Sequence, residues 1–335
     1  MVIKKSIGVL FGCMVAWGSF SQDFHFSGFM QNMVYVNPAY AALPNSGEVG
    51  LTYRNQWPGV PATFVTYGTA LIMPVKTLSS GIGISFLNDI QGSGVISRTS
   101  ATLLYGYVFD INSNWQVGAG INATYVFKQF NSDELTFRSD ILNDLGYSYG
   151  PVTYGNYTKS YPDFGVGVII KNNNNISFGV SVSHLTRPRE AYSDLVNNRL
   201  PLKYTAFVSG RIPGSGQSSS SGLSAEPAIF YSRQQENQEL IWGSQFLFNS
   251  GFILGGFLRH GLNMSMDAVI ISAGISYEKY NIYYSYDVNL KKINFLSTKM
   301  AAHEVTFLYR FEYKDGYNQG GYKGKRSGKI DCPAY

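Results

Sequence analysis

The stretch that decides the fold is residues 115–127, WQVGAGINATYVF. Its odd-numbered positions carry Trp, Val, Ala, Ile, Ala, Tyr and Phe, whereas most even-numbered positions carry Gln, Gly, Asn or Thr. A period of two places successive side chains on opposite faces of a β-strand. One apolar face and one small polar face are typical of a strand that separates lipid from a polar lumen.

The same alternation recurs from about residue 47 to residue 312, in segments of roughly ten residues separated by turns. It predicts an all-β fold, a transmembrane antiparallel outer-membrane β-barrel of about fourteen strands over residues 47–312. The expected strands are 47–57, 62–73, 79–90, 94–109, 114–129, 162–171, 175–183, 203–213, 223–233, 239–249, 251–260, 267–278, 280–288 and 302–312.

The composition supports a membrane barrel. Only 14% of the residues are charged, whereas a soluble domain carries about 25%. Mean hydropathy is nevertheless −0.07, which excludes a bundle of membrane helices and fits strands with one polar face. Aromatic residues near strand ends suit the girdles at the lipid–water boundaries, with candidates Trp57, Trp115, Tyr204 and Tyr231. The alternative is that these aromatic residues fill the core of a soluble barrel. The low charge and the signal-peptide features of residues 1–21, described below, oppose it.

The connections alternate in length. The longest, 130–161, 184–202 and 289–301, all fall at one end of the predicted barrel, and most connections at the other end are short. The exception is the Gly/Ser-rich stretch 214–222. Outer-membrane barrels have short periplasmic turns and longer outer loops, so both ends of the barrel domain are expected in the periplasm.

Residues 1–21 have the features of a secretory signal peptide. Lys4 and Lys5 form the basic end, an apolar stretch follows, and Ser19 to Ser21 supply small residues before a cut ahead of Gln22. We therefore expect export to the outer membrane of a Gram-negative cell. Lipid attachment at Cys13 is a weaker alternative, because the apolar stretch before it is very short.

Two segments lie outside the predicted barrel. Residues 22–46 show no steady period and are expected either to plug the lumen or to lie across its periplasmic mouth. Residues 313–335 form a basic periplasmic tail. The formal net charge is +5; removing Lys4 and Lys5 leaves +3, and the tail supplies all of it with five basic and two acidic residues. The barrel is thus formally neutral and offers no basic surface for nucleic acid.

The sequence does not favour catalysis or metal binding. The histidines His25, His184, His260 and His303 show no zinc-ligand spacing, and Cys332 is the one cysteine after residue 21. Ser183 beside His184 carries little weight as a hydrolase pair, because neighbours on a strand point to opposite faces. We therefore expect no enzyme, no cofactor and no metal.

Some charged and amide side chains fall on the polar face of their strands: Arg54, Gln56, Asn122, Gln245, Asp287, Arg310 and Glu312. They predict either a selectivity lining or cargo contact, or a network that neutralises charges inside a closed barrel. We favour the network. Arg54, Asp287 and Arg310 are expected to pair, because the first and last strands meet when a barrel closes.

An ordered series of short motifs resembles a known family. The motifs are FSGFMQN (26–32), NPAYA (37–41), YRNQW (53–57), GIG (81–83), ND (88–89), PDFG (162–165), SVSHL (181–185), YSYD (284–287), HEV (303–305), YRF (309–311) and CP (332–333). The series is similar to the PorP/SprF family of outer-membrane proteins in the type IX secretion system of Bacteroidetes. The resemblance marks the following residues, without assigning their roles: Asn37, Pro38, Ala39, Tyr53, Arg54, Asn55, Gln56, Trp57, His303, Glu304, Arg310, Cys332 and Pro333.

The resemblance implies a function in protein secretion. Family members support the export or surface retention of large adhesins, including those of gliding motility, by holding the adhesin's C-terminal secretion domain at the outer membrane. The implied partners are outer-membrane lipid, the adhesin, and a periplasmic secretion or motility component that contacts the tail 313–335. The alternatives are an outer-membrane diffusion channel or hydrophobic-ligand transporter, and a passive barrel that scaffolds a lipoprotein.

Overall fold

A computed structural model describes residues 23–59, 64–135, 141, 145, 155–173, 175–192, 199–214, 222–261, 265–290 and 301–312. Most of these residues lie in fifteen antiparallel strands. The strands are β1 (Gly47–Gln56), β2 (Phe64–Val75), β3 (Ser80–Gln91), β4 (Ile96–Asp110), β5 (Trp115–Phe130), β6 (Tyr157–Asn172), β7 (Ile176–Ser183), β8 (Lys203–Gly210), β9 (Ile212–Pro213), β10 (Leu223–Gln234), β11 (Asn237–Phe248), β12 (Phe252–His260), β13 (Met266–Tyr277), β14 (Tyr280–Asn289) and β15 (Ala302–Phe311).

The strands close into a barrel. Apart from β8 and β9, each strand pairs with its neighbour along the chain. In addition, β1 pairs with β15, and both β8 and the two-residue β9 pair with β10. Because β8 and β9 share one position, fifteen strands make a fourteen-strand barrel, which confirms the predicted fold. Two predicted strands differ by more than two residues: β6 begins at Tyr157, before residue 162, and the strand expected at 203–213 is interrupted at Arg211.

The alternation of side chains produces the two faces that the sequence predicts. Outward-facing Leu103 is 63% exposed and Ile121 is 57% exposed, as expected of side chains that meet lipid. Inward-facing Arg54 and Gln245 are only 2% and 1% exposed. Among the described residues, no helix has the length and apolar character to cross a membrane.

The two ends of the barrel differ. The strand ends that flank the connections 131–156, 184–202 and 290–301 lie at one end, here named the outer end. The turns 76–79, 111–114 and 278–279 lie at the other, here named the periplasmic end. Residues 23–46, here named the N-terminal segment, precede β1. They include a short helix, α1 (Met33–Val36), and a 3-10 helix, Pro38–Ala42.

Candidate functional site in the barrel lumen

The N-terminal segment contacts inward-facing residues along the whole barrel. Asp23 contacts Arg98, the third residue of β4, and Lys203, the first residue of β8, both at the outer end. Tyr40 donates a hydrogen bond to Glu48, the second residue of β1, at the periplasmic end. The chain therefore runs from the outer end towards the periplasmic end before it enters β1.

Arg54 lies at the centre of the polar network. Its guanidinium is 3.2 Å from an oxygen of Asp287 on β14 and 3.1 Å from one of Glu304 on β15. It also donates to the hydroxyl of Ser27 in the N-terminal segment. All of these side chains are buried. Because an isolated buried charge is costly, Arg54 and the two carboxylates stabilise one another.

Glu304 ties the N-terminal segment to this network. Its carboxylate accepts hydrogen bonds from the backbone N–H groups of Ser27, at 2.8 Å, and Gly28, at 3.0 Å. The amide of Asn32 also donates to Glu304, at 3.3 Å, and Asn32 accepts a bond from Thr52 of β1, at 2.7 Å. A barrel carboxylate therefore satisfies backbone donors of a segment that has little regular structure of its own.

His25 lies between two arginines. Its Nε2 is 3.4 Å from Arg54 and 3.2 Å from Arg259, and Arg259 also donates to Asp287 at 2.8 Å. Burial and the two nearby cations hold the pKa of His25 well below its ordinary value. The neutral ring can therefore accept a hydrogen bond from a guanidinium.

A second charged cluster, here named the outer cluster, surrounds Asp23. Its carboxylate is 2.5 Å from Arg98, 2.5 Å from His184 and 3.7 Å from Lys203. The other ring nitrogen of His184 is 2.6 Å from Asp163 of β6. Asp23 thus contacts three cationic groups and shares one of them, His184, with Asp163; all of these side chains are largely buried.

Ionisation in the outer cluster is coupled. Burial alone would raise the pKa of Asp23, but His184, Arg98 and Lys203 outweigh it and hold the pKa well below its ordinary value. Burial alone would lower the pKa of His184, but Asp23 and Asp163 outweigh it and raise the pKa to about 9. At neutral pH the contact between Asp23 and His184 is therefore an ion pair.

The periplasmic half of the N-terminal segment, residues 37–42, is held by a capped helix and by close packing against the wall. Asn37 caps the 3-10 helix by accepting a hydrogen bond from the N–H of Ala39 at 3.0 Å. The same amide donates to the backbone carbonyls of Val168 and Val180 on the paired strands β6 and β7. Pro38 follows this cap. Proline suits the first position of a helix because a backbone N–H there would have no partner within the helix.

Glycines on the inner wall admit this half of the segment. A Cβ added at Gly120 would lie 2.3 Å from the backbone nitrogen of Ala39. One at Gly81 would lie 1.9 Å from the carbonyl oxygen of Ala41. Real Cβ atoms do not approach backbone so closely, so these strands require residues without side chains for the close approach.

The structure separates the family-motif residues. Of the YRNQW motif, Tyr53 faces outward with its ring near Tyr67, whereas Arg54 faces inward. Asn55 and Gln56 pair with β15, and the N–H of Trp57 donates to Ala301 at 2.8 Å. These contacts join the outer ends of β1 and β15. The motif is therefore only partly in the lumen.

The HE pair at the start of β15 divides between the two faces. His303 hydrogen-bonds the hydroxyl of Tyr284 at 2.7 Å on the outward side, whereas Glu304 is 1% exposed in the central network. The structure thus places Glu304 in a structural network. Cys332 and Pro333 lie outside the described residues, as does the tail 313–335.

The predicted pairing of Arg54, Asp287 and Arg310 is only partly correct. Arg54 meets Asp287, but Arg310 lies too near the periplasmic end and instead donates to Glu48 at 3.1 Å. Glu312, expected to face the lumen, lies just beyond β15 and is exposed. Within the described ranges, no group of three His, Cys, Asp or Glu residues is suited to a metal ion.

Sequence reasoning did not identify the segment's own contact residues, including Asp23, Ser27 and Asn32. The signal available was indirect: Gly118 and Gly120 occupy the polar face of β5, where a glycine indicates close approach of another backbone.

The family assignment rests on comparison with known proteins. The family model described as type IX secretion system membrane protein PorP/SprF matches residues 18–309. The chain belongs to the PorP/SprF family. It crosses the membrane by strands, so this PorP/SprF protein is an outer-membrane β-barrel of the type IX secretion system. The family description names a secretion protein and no enzyme. A comparison with curated proteins finds no match.

Solved outer-membrane barrels are similar to this PorP/SprF chain at low identity. The toluene transporter TbuX of Ralstonia pickettii is 11% identical, over 82% of this chain and 92% of that one, with a TM-score of 0.47. A FadL homologue of Pseudomonas aeruginosa is 13% identical, over 82% and 93%, with a TM-score of 0.42. Omp33 of Acinetobacter baumannii is 6% identical, over 79% and 98%, with a TM-score of 0.43.

Proposed function

We propose that this barrel supports the secretion and surface retention of large adhesins, including adhesins of gliding motility, by engaging their C-terminal secretion domain at the outer membrane. The observation that carries the proposal is the PorP/SprF family match, which covers almost the entire barrel. The fold adds support, because the strand ends that flank its longest connections all lie at the outer end, where an exported protein emerges.

The cargo surface in this proposal is formed by the outer loops. At their base, the rings of Phe130, Tyr157 and Tyr192 lie with their centroids 6.2–6.4 Å apart. Tyr161 donates a 2.5 Å hydrogen bond to Glu190, which fixes the connection 184–202 to β6. Rigid aromatic side chains at a fixed position provide contact area at low entropic cost, which suits a binding surface.

We assign the binding of the periplasmic partner to the basic tail 313–335. Its net charge of +3 would complement an acidic surface on a secretion or motility component. Outer loops and tail would then bind cargo and machinery on opposite sides of the membrane.

Loop replacement tests the cargo surface. Replacing 131–156, 184–202 and 290–301 with short turns is expected to abolish adhesin display at the cell surface and its co-purification with the barrel. The matched control replaces the periplasmic stretch 214–222 and should preserve both. Each variant barrel is first checked for assembly by its heat-dependent mobility on a denaturing gel. Undiminished display by an assembled, loop-replaced barrel would refute the cargo role.

A single substitution sharpens the test. Tyr157→Ser removes an aromatic ring that is 48% exposed at the outer end, and it is expected to weaken adhesin capture at least tenfold. Tyr277→Ser removes a ring that is 67% exposed at the periplasmic end and should leave capture unchanged. Equal loss in both variants would count against a localised cargo surface. Substrate uptake lost on deletion, with display intact, would favour the transporter alternative.

A further inference from the structure

We propose that residues 23–42 plug the lumen and that Asp23 is the latch of this plug at the outer end. Release of the Asp23 carboxylate opens the outer half of the lumen, while residues 37–42 stay in place. Gating of this kind is independent of which cargo the barrel serves.

The plug contacts the wall on opposite sides of the barrel. Asn37 binds β6 and β7, whereas Asn32 binds Thr52 of β1 and Thr306 of β15. Phe29 stacks on Phe230 of β10, with ring centroids 5.0 Å apart. A single segment therefore spans the lumen between strands that are far apart around the sheet. The space that remains beside its outer half is a cavity of about 120 Å³.

Charge holds the outer end of the plug. Asp23 makes its side-chain contacts with Arg98, His184 and Lys203, which come from three different strands or strand ends. Its backbone N–H adds a long, 3.4 Å hydrogen bond to Gln234. Neutralising the Asp23 carboxylate therefore weakens three contacts at once. A packed apolar contact has no charge that could be removed in this way.

The periplasmic end has no equivalent point of release. Ala39 and Ala41 lie so close to Gly120 and Gly81 that no side chain fits between the two backbones. Ala39 is also fully buried. Shape and the hydrogen bonds from the Asn37 amide to two backbone carbonyls hold this end, and Tyr40 adds a hydrogen bond from its hydroxyl to Glu48.

The wall behind the latch is suited to water. The barrel wall around this cavity carries small hydroxyl side chains beside the apolar Leu87, Val126 and Phe230; the hydroxyl residues include Ser85, Ser100, Thr102, Thr124 and Thr205. Without the Asp23 charge, Arg98 and Lys203 lose their ion pairs with it, and the three cationic groups outnumber the lining carboxylates of Asp163 and Glu239. An opened outer half therefore carries excess positive charge, and the residual current should favour anions.

Planar-bilayer recording of the purified full-length barrel tests the proposal. The wild-type protein is expected to be closed, with rare openings. Asp23→Asn keeps the side-chain size, removes the charge, and is expected to raise the open fraction at least tenfold with anion preference. Asp23→Glu should restore closure. Deletion of residues 23–36 should open the pore permanently. The control Glu236→Gln alters an exposed carboxylate in the outer turn between β10 and β11 and should behave as wild type.

The outcomes separate the two parts of the proposal. A silent deletion variant that has assembled would show that the segment is not the plug. A conducting deletion variant together with a silent Asp23→Asn would overturn the latch. Arg98→Gln removes one of the two shortest contacts and serves as the second latch variant if Asp23→Asn does not assemble. Wild-type protein that already conducts freely would refute the whole proposal.

Discussion

The outer and periplasmic halves of the N-terminal segment contact one barrel wall in different ways. The outer half is held by buried charges, with Asp23 in the outer cluster and Ser27 bound to Glu304. The periplasmic half is held by close packing, with Ala39 against Gly120 and Asn37 bonded to backbone carbonyls. Charged contacts respond to pH and to competing ions, whereas steric contacts do not. One segment therefore combines a responsive end with a permanent one.

The largest effect is expected from Arg54→Ala, because it leaves the buried carboxylates of Asp287 and Glu304 without their shared cation. Breaking a buried ion pair on one side costs about 3–5 kcal/mol. The free energy of unfolding in detergent, measured by urea titration, should fall by that amount. Arg233→Ala, at an exposed position on β10, is the control and should change it by less than about 0.5 kcal/mol. Similar losses in both variants would contradict the central role of Arg54.

The next effect is expected from Gly120→Ala, which tests the packed half. The added Cβ would lie 2.3 Å from backbone of Ala39, and backbone cannot move aside as a flexible side chain can. Overpacking of this kind costs about 1–3 kcal/mol. Gly256→Ala is the matched control, because a Cβ there meets no atom within 4 Å. Urea titrations of the two variants should therefore differ, and equal stability would show that the segment does not press on β5.

The charged half should respond to pH. The pKa of His184 is raised to about 9, so its stabilising contribution is complete below its unfolded-state value and is lost as pH rises through 9. The pKa of Asp23 is lowered, so its contribution is present above the unfolded-state value and is lost only in strong acid. Arg98, Lys203 and Asp163 are the other charged groups of the cluster. Stability should therefore be highest between about pH 4 and 6.5.

The measurement is the thermal unfolding midpoint from pH 6 to pH 10. The wild-type midpoint should decline above about pH 6.5, by an amount equivalent to at most about 3 kcal/mol. His184→Gln should remove most of this decline, and Gly120→Ala should leave its shape unchanged. A wild-type profile that is flat up to pH 10 would contradict a charged His184.

The smallest effect is expected on the outward face, which provides a baseline for both halves. His303→Phe loses only the hydrogen bond to Tyr284 at a side chain that faces away from the lumen. The free energy of unfolding should change by less than about 1 kcal/mol. Its neighbour Glu304→Gln should cost clearly more, because Glu304 binds Arg54 and two backbone N–H groups. A reversed order would contradict the assignment of faces.

The barrel itself could be predicted well from sequence, because the period of two follows from the local geometry of a strand. Most predicted bounds lie within two residues of the structure, and the longest connections fall at one end as expected. The error at β6 has a local cause. The first five residues of this strand, Tyr157 to Tyr161, mix aromatic and polar residues without clear alternation. Pairing with β5 extends the strand there regardless.

The sequence therefore determined the strands, their lipid-facing sides and the two ends of the barrel, since each depends on residues close together in the chain. The tertiary structure alone decided the path of the N-terminal segment and the partners of its polar groups. Ser27 and Glu304 are 277 residues apart, and no period relates them. Only closure of β1 on β15 brings Arg54 and Glu304 side by side, where a backbone without its own regular structure can bind between them.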